Sequence, residues 1–186
     1  LCVSATVGGH VRSGTALRRN GAQAGDQLWV SGTLGDAAIG LDLLGGVLGA
    51  TGEDMDYLVG RLNRPKPRIE LGLSLGAVAT AGIDVSDGLL ADLGHILKES
   101  GALGAIVDVS CLPVSPQAIG ACGESLAREK ALTGGGDYEI CFTANPAQRS
   151  QIEQLRQNRN VKLTCIGSIR TLAGIVLTGT DNQDLI

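Results

Sequence analysis

The stretch AGIDVSDGLLADLGHIL, from Ala81 to Leu97, contains the signals that decide the local fold. A short apolar segment, Ile83–Val85, is typical of a strand and runs into a serine, an aspartate and a glycine. Beyond Gly88 the apolar residues recur at helical spacing, at Leu89, Leu90, Leu93, Ile96 and Leu97. The stretch therefore predicts a strand, a tight turn and an amphipathic helix, with Asp92 and His95 on the solvated face of that helix.

The turn in this stretch permits two interpretations. In the first, Asp84 and Asp87 point at one centre and hold a hard cation such as Mg²⁺, which prefers oxygen ligands. The start of the helix would add backbone N–H donors and a positive dipole end for a phosphate. In the second, Asp87 is a helix N-cap, Ser86 a turn residue and Asp84 a solvated loop acid. Spacing alone favours the second interpretation, because aspartate and serine are among the commonest caps.

The other apolar patterns predict strands and helices that alternate without strict strand–helix–strand regularity. Strands are predicted at Leu1–Val7, Gln27–Gly32, Gly104–Val114, Glu139–Thr143, 161–169 and 174–178. Helices are predicted after Gly35, over Asp54–Leu62, from Pro67 to about Ala81, and over 145–158. This order indicates an α/β or α+β class with a mixed sheet and packed helices, in one domain over residues 1–186. Because aromatic residues make up only 2% of the chain, Trp29 and Phe142 are expected in the core.

Composition excludes several classes of protein. The 186 residues carry a formal net charge of −4, whereas proteins that bind nucleic acid or a membrane surface are usually basic. No stretch reaches the roughly 18 apolar residues of a membrane span, and no secretion signal is visible. The five cysteines form no C-x-x-C pair, so we expect reduced thiols and a cytoplasmic protein.

Three further stretches could carry chemistry, although each has a plainer interpretation. In LTGGGDYEICFT, Leu132–Thr143, glycines let backbone approach a ligand, or form a hairpin turn with exposed acids. In VSGTLGDAAIGL, Val30–Leu41, N–H groups at a helix start could receive an anion, or Asp36 could simply favour the helix dipole. Arg18 or Arg19 could clamp a phosphate, or be an ordinary surface arginine. The phosphate loop, the dinucleotide fingerprint and the kinase catalytic-loop signatures are all missing.

Taken in order, these stretches resemble the C-terminal portion of the thiamine-monophosphate kinase family. The pieces that carry the resemblance are ALRRNGAQAGDQLWVSGTLGDAAIGL, DYLVGRLNRPKPR, IDVSDGLLADLGHI, LPVS and ALTGGGDYEICFT. The wider superfamily, of the aminoimidazole-ribonucleotide-synthetase type, also contains selenophosphate synthetase, formylglycinamidine synthetase and a hydrogenase maturation protein. The resemblance implies the α/β C-terminal domain of an enzyme that phosphorylates thiamine monophosphate with ATP. We expect that the family's N-terminal domain is absent from this chain, that the full-length protein is a homodimer, and that this chain alone is inactive.

The resemblance also implies roles for individual residues. Asp84 and Asp87 match metal-binding aspartates for Mg²⁺, and Ser86 and Arg19 match contacts to ATP. Gly136 and Asp137 match the loop that binds thiamine monophosphate. The family pattern G-G-E-D-Y-E has a glutamate where this chain has Gly136, and the family's aromatic tail lies beyond the last residues, TDNQDLI. The glycine leaves two alternatives open: another acceptor within the superfamily, or a domain that binds a nucleotide without catalysis.

Overall fold

Strands of the computed structural model, which describes residues 2–159 and 161–179, form one mixed sheet in the order β2-β4-β1-β5-β3-β6. The strands are β1 Gln27–Ser31, β2 Ala81–Asp84, β3 Gly104–Asp108, β4 Ile140–Ala144, β5 Leu163–Arg170 and β6 Gly174–Thr178. Neighbours are antiparallel, except that β3 and β6 run parallel. The mixed sheet expected from the sequence is confirmed.

Helices cover both faces of this sheet. They are α1 Asp36–Leu44, α2 Glu53–Asn63, α3 Ile69–Leu75, α4 Leu89–Glu99, α5 Pro116–Cys122, α6 Glu124–Thr133 and α7 Arg149–Arg159. The apolar stripe of α4 packs with Leu28 and Val30 of β1 on one face. On the other face, α3 and α7 pack around Trp29 and Phe142, whose rings stack with centroids 6.3 Å apart. The alternation of buried side chains along β1 and β4 therefore supplies both cores, as the 2.0-residue period of a strand requires.

Several predicted elements differ from those observed. Residues 2–7 form no strand and are exposed, and Leu1 lies outside the described residues. The strand predicted over Gly104–Val114 ends at Asp108, because the carboxylate of Asp108 accepts the N–H of Ser110 at 2.9 Å and turns the chain. The helix predicted to reach Ala81 ends at Leu75, where the carbonyl of Thr15 lies against Gly76.

Helices α5 and α6 were missed by the sequence analysis. The start of α5 has a clear signal: Ser115 accepts the N–H of Ala118 at 3.0 Å and Pro116 occupies the first helical position. Between the two helices stands Gly123 at φ +79°, which ends α5 and begins α6. In the described part of the chain, no helix is long and apolar enough to cross a membrane.

Candidate active site

The turn between β2 and α4 presents its carboxylates at the surface. Asp84, the last residue of β2, and Asp87 are both exposed, and Ser86 is half-buried. Gly88 follows at φ +110°, and a Cβ there would lie 2.6 Å from the carbonyl oxygen of Thr133. Only glycine fits this position without displacing backbone, so the turn is tight and the two aspartates remain accessible.

The turn before α4 is held by Asp92, a residue that the sequence analysis placed in solvent. Asp92 is 2% exposed, and its Oδ2 accepts the N–H of Ser86 at 2.8 Å and that of Asp87 at 3.0 Å. The N-cap position belongs to Gly88, which makes no side-chain cap bond, so the interpretation of Asp87 as the cap is wrong. The N–H groups of Ser86 and Asp87, which precede the helix, are therefore occupied, whereas the backbone N–H donors expected from the helix start itself stay a prediction. His95 is exposed, as expected.

The glycine-rich loop lies directly against this turn and does not form a hairpin. The N–H of Gly136 donates to the carbonyl of Ser86 at 2.9 Å, and the N–H of Tyr138 donates to the carbonyl of Val85 at 3.0 Å. A Cβ on Gly135 would lie 2.3 Å from the carbonyl oxygen of Ser86. Two motifs that are about 50 residues apart in sequence are thus joined by backbone hydrogen bonds. The loop can approach the turn this closely only because residue 135 is a glycine.

Gly135→Ala tests this close approach. We expect the added methyl group to push the loop off the turn and to lower the free energy of unfolding by about 1–3 kcal/mol. The matched control is Gly94→Ala in the middle of α4, where a Cβ meets no atom within 4 Å. That variant should raise the free energy of unfolding by about 0.5–1 kcal/mol, because alanine favours the helix. Urea denaturation measures both; a loss of the same size at both positions would contradict the packing argument.

Asp137, a predicted substrate contact, is buried inside the protein. It is 1% exposed, and its carboxylate accepts the N–H of Gly35 at 2.6 Å and that of Ala37 at 3.0 Å. Asp137 therefore caps α1 from a distant segment, and it occupies two of the N–H groups that could otherwise have received an anion there. Burial raises the pKa of Asp137 to about 6, although the two N–H bonds act in the opposite direction.

The raised pKa of Asp137 predicts a pH dependence of stability. The folded protein holds this proton up to about pH 6, whereas the unfolded chain releases it near 3.8. The free energy of unfolding should therefore fall as pH rises through this window and change no further above it. Asp137→Asn removes the titrating group, so the difference between the two proteins should follow this curve in urea unfolding from about pH 4 to about pH 7. Parallel curves for the two proteins would show that Asp137 titrates normally.

Glu139 is a buried carboxylate held by two arginines. Its Oε2 accepts from Arg68 Nε at 2.7 Å and from Ser31 Oγ at 2.6 Å, and its Oε1 accepts from Arg68 Nη2 at 2.6 Å and Arg61 Nη2 at 3.2 Å. Gly32, at φ +61°, leaves room for it, since a Cβ there would lie 2.2 Å from Glu139 Oε1. This carboxylate joins the GGGDYE stretch to SGTLGD and to RPKPR.

Asp36 extends the same network towards α5. It is fully buried, and its Oδ1 accepts from Ser115 Oγ at 2.6 Å while its Oδ2 accepts from Thr33 Oγ1 at 2.5 Å. Arg61 Nε lies 3.4 Å from Oδ2 of Asp36. Burial and the charge of Asp36 raise the pKa of Tyr57, whose hydroxyl donates to the same Oδ2 at 3.3 Å. Asp36 is thus a structural anchor as well as a helix-dipole partner.

A groove of about 440 Å³ beside β2 brings Arg19 and Asp84 to one place. It is lined by Leu17, Arg19, Pro67, Arg68, Ile69, Gly82, Ile83, Asp84, Tyr138 and Ile140. The strand edge holds the arginine segment, because the N–H of Gly82 donates to the carbonyl of Arg18 at 2.8 Å. The groove combines an apolar floor with two guanidinium groups and a carboxylate, which suits a ligand that has both an apolar and an anionic part.

The groove also contains two residues that the sequence analysis did not select, Arg68 and Tyr138. Tyr138 is 41% exposed and has φ +52°, an uncommon conformation for a bulky residue and one that is enriched at functional sites. Nothing in the sequence signals that conformation, whereas Arg68 stood in the quoted RPKPR motif. A larger cavity of about 710 Å³, between α7 and β5, is lined by none of the candidate site residues.

The oxygen ligands at the turn suit a metal ion in kind but not in number. Asp84, Ser86 and Asp87 supply two carboxylates and a hydroxyl, which hard cations such as Mg²⁺ prefer. Over residues 2–159 and 161–179, however, no group of three or more His, Cys, Asp or Glu side chains is arranged to hold a metal ion. The turn can therefore contribute part of a coordination shell, and the rest must come from phosphate oxygens, water or another part of a longer protein.

Comparison with known proteins points to one family. No family model matches the chain. The thiamine-monophosphate kinase of Salmonella typhimurium is 44% identical over 170 residues, which are 91% of this chain and 52% of that protein. The thiamine-monophosphate kinase of Haemophilus influenzae is 42% identical over 176 residues, 94% of this chain and 53% of that protein. The chain thus spans about half the length of the curated relatives it matches.

Solved structures agree with this result. The crystal structure of thiamine-monophosphate kinase from Stenotrophomonas maltophilia superposes with a TM-score of 0.85 at 48% identity, over 92% of this chain and 56% of that one. AaThiL, complexed with AMPPCP and TMP, superposes with a TM-score of 0.75 at 30% identity, over 90% of this chain and 53% of that one. PurL from T. maritima shares the fold alone, at 13% identity and a TM-score of 0.62.

Proposed function

We propose that the protein to which this chain belongs transfers the γ-phosphoryl group of ATP to thiamine monophosphate. The premise is that the chain is homologous to about half of a thiamine-monophosphate kinase. The product would be thiamine diphosphate. In this proposal the chain is the C-terminal domain, and the other half of the enzyme supplies a second domain and a homodimer contact. The observation that carries the proposal is the groove where Arg19 and Asp84 meet, next to the turn of Ser86 and Asp87.

The groove is the proposed site for ATP. Its apolar floor and the half-exposed ring of Tyr138 suit a nucleobase, and Arg19 suits a phosphate because a guanidinium can donate two parallel hydrogen bonds. Asp84 and Asp87 would hold Mg²⁺ at the phosphate end, with Ser86 contacting ATP between them. A bound Mg²⁺ would neutralise negative charge on the phosphates of the two substrates.

The chemistry itself demands little of the side chains. A phosphate oxygen of thiamine monophosphate is already anionic at neutral pH and attacks the γ-phosphorus of ATP. A new P–O bond forms, the bond from the γ-phosphorus to the bridging oxygen breaks, and ADP leaves with that electron pair. The protein has to hold two anions in line and exclude water, so positioning and fixed charge carry the rate, and no covalent enzyme intermediate is required.

On the acceptor side, Gly136 and Asp137 retain only part of the role that the resemblance implied. With Asp137 buried as a cap for α1, we propose that it shapes the loop and leaves the direct contact with thiamine monophosphate to other groups. Gly136 has φ +91°, where a side chain is strained, and its Cβ position lies 3.4 Å from the Cβ of Ala37. The loop of this chain is therefore adapted to glycine at this position.

That adaptation supports a second candidate, an enzyme of the same superfamily with a different phosphate acceptor. A third candidate is a domain that binds a nucleotide without catalysis. Turnover of the full-length protein with ATP, Mg²⁺ and thiamine monophosphate separates the three, because only the first forms thiamine diphosphate. Release of ADP with another phosphate monoester alone would favour the second candidate, and ATP binding in calorimetry without any turnover would favour the third.

Two further parts of the proposal concern the protein as a whole. This chain by itself should have little or no kinase activity, since no described group of three acidic or imidazole ligands can hold a metal ion. The enzyme is proposed to act in the cytoplasm, where its five cysteines would stay reduced. Robust turnover by the 186-residue chain would contradict the first of these.

A further inference from the structure

Asp92 is the buried group closest to the candidate turn that no part of the proposed reaction uses. It lies in the first turn of α4, is 2% exposed, and takes the N–H groups of both Ser86 and Asp87 on one oxygen. Those N–H groups belong to two of the three residues proposed to contact Mg²⁺ and ATP. The side chains of Asp84 and Asp87 remain outside, exposed to solvent.

A helix start without such a carboxylate would attract an anion. Free N–H groups and the positive end of the helix dipole bind phosphate directly. Here the charge of Asp92 compensates that dipole, and the two N–H groups just before the helix are occupied. Asp137 does the same at the start of α1, where it takes the N–H groups of Gly35 and Ala37. Both helix starts beside the candidate site therefore carry a buried carboxylate.

The neighbouring thiol of Cys141 adds no charge beside Asp92. The thiol of Cys141 is fully buried on β4, and burial together with the charge of Asp92 raises the pKa of that thiol to about 12. The thiol is therefore neutral at physiological pH and adds no charge of its own. A phosphate that approaches the turn meets the carboxylates of Asp84 and Asp87 at the surface and that of Asp92 behind them.

We propose that Asp92 is a positioning residue of the 84–88 turn: it holds the turn so that Asp84 and Asp87 can face a cation, and it keeps phosphate from the N–H groups of Ser86 and Asp87. The first effect of Asp92 is geometric: it fixes the peptide groups of Ser86 and Asp87 so that their side chains face outward. The second is that its carboxylate takes the N–H groups of Ser86 and Asp87, which are then not available to a phosphate. The inference rests on the proposed function, because the metal ion in question is the one proposed there.

Titration of the ¹⁵N-labelled chain with Mn²⁺ tests the inference, since this paramagnetic ion broadens nearby amide signals even when binding is weak. Asp92→Asn keeps an oxygen that can accept both N–H bonds and removes the charge. It should weaken the Mn²⁺ effect at residues 84–88 by about 5-fold, the size of a helix-end charge effect. Asp92→Ala also removes the bonds, and should speed amide exchange at Ser86 and Asp87 by about 10-fold. If Asp92→Ala does not fold, the Asn variant still decides.

The matched control is Asp26→Asn. Asp26 is also 2% exposed, and it fixes another turn by accepting from the Gln23 N–H at 2.9 Å and the Thr80 hydroxyl at 2.6 Å. It does not line the groove, so its loss should leave the Mn²⁺ effect at residues 84–88 unchanged. An equal loss of Mn²⁺ effect in the Asp26 and Asp92 variants would overturn the proposal, because general loosening of the fold would then explain both.

A second probe, inorganic phosphate without metal, tests whether the turn binds an anion directly. The unsubstituted chain should show no phosphate-dependent shift at Ser86 and Asp87, and Asp92→Ala should gain one. A shift in the unsubstituted chain would overturn the proposal. If Mn²⁺ does not broaden residues 84–88 in the unsubstituted chain, the metal site of the proposed function fails and the positioning of Asp84 and Asp87 for a cation fails with it. Amide exchange in the Asp92 variants, measured without metal, still shows whether Asp92 fixes the turn.

Discussion

Glu139→Ala is expected to lower the free energy of unfolding by about 3–5 kcal/mol, because it leaves buried cationic groups without their partner. The carboxylate of Glu139 is fully buried and accepts from both Arg61 and Arg68, whose side chains are only 12% and 24% exposed. Small domains are stable by about 5–15 kcal/mol, so the loss would be a large part of the total. Urea denaturation followed by circular dichroism measures it.

The control for this prediction is Glu124→Ala. Glu124 pairs with Arg128 one helical turn away at 2.7 Å, but its side chain is 59% exposed. Exposed pairs of this kind contribute about 0.3–0.5 kcal/mol, so the variant should be nearly as stable as the unsubstituted chain. If the two variants lost the same free energy, the network around Glu139 would not be the anchor described here.

If the full-length protein is the kinase proposed above, Asp87→Asn is expected to reduce its turnover by about 100-fold or more, the size of effect seen when a group that stabilises transition-state charge is removed. Its side chain is exposed and does not cap α4, so the substitution should leave the fold intact. Asp84→Asn should behave in the same way, because both carboxylates are proposed to hold Mg²⁺. The rate of thiamine diphosphate formation, measured over a range of Mg²⁺ concentrations, tests both variants.

Asp56→Asn is the control for these two variants, since Asp56 is an exposed acid in the first turn of α2 and does not line the groove. Its turnover and its Mg²⁺ requirement should remain those of the unsubstituted enzyme. Thermal melts of all three variants exclude loss of fold as the cause. Turnover within about 3-fold of the unsubstituted enzyme for Asp84→Asn and Asp87→Asn would remove the metal role from this turn, because a change of that size is under 1 kcal/mol.

Much of the fold could be read from local patterns. The apolar stripe of α4 and the strands β1, β4, β5 and β6 were predicted close to their observed positions, because period and turn residues are properties of a short window. The strand expected at Leu1–Val7 was wrong over its described residues, since an alternating segment needs a neighbouring strand to pair with. Helices α5 and α6 were missed even though Ser115 and Pro116 mark the start of α5 clearly.

The candidate site was only partly predictable. Arg19 and Asp84 were selected from motifs, and they do line one groove. Asp92, Asp137 and Glu139 looked like exposed acids, yet the structure buries all three. A carboxylate can be buried only where donors from elsewhere satisfy it, and these donors come from residues that are 5 to about 100 positions distant. The donors to Asp137 and Glu139 are invisible to a local pattern, whereas those to Asp92 lie five and six positions away.

The sequence by itself determined the mixed α/β class, the strand–turn–helix unit of Ala81–Leu97, and the resemblance of its motifs to those of the thiamine-monophosphate kinase family. These depend on residue spacing along the chain, which needs no partner. Only the tertiary structure decided which acids face solvent and which are buried as caps. That choice depends on where distant N–H and guanidinium groups come to lie, because a buried charge is tolerated only beside its donors. Asp87 and Asp92 stand five residues apart, and the fold alone places one outside and the other inside.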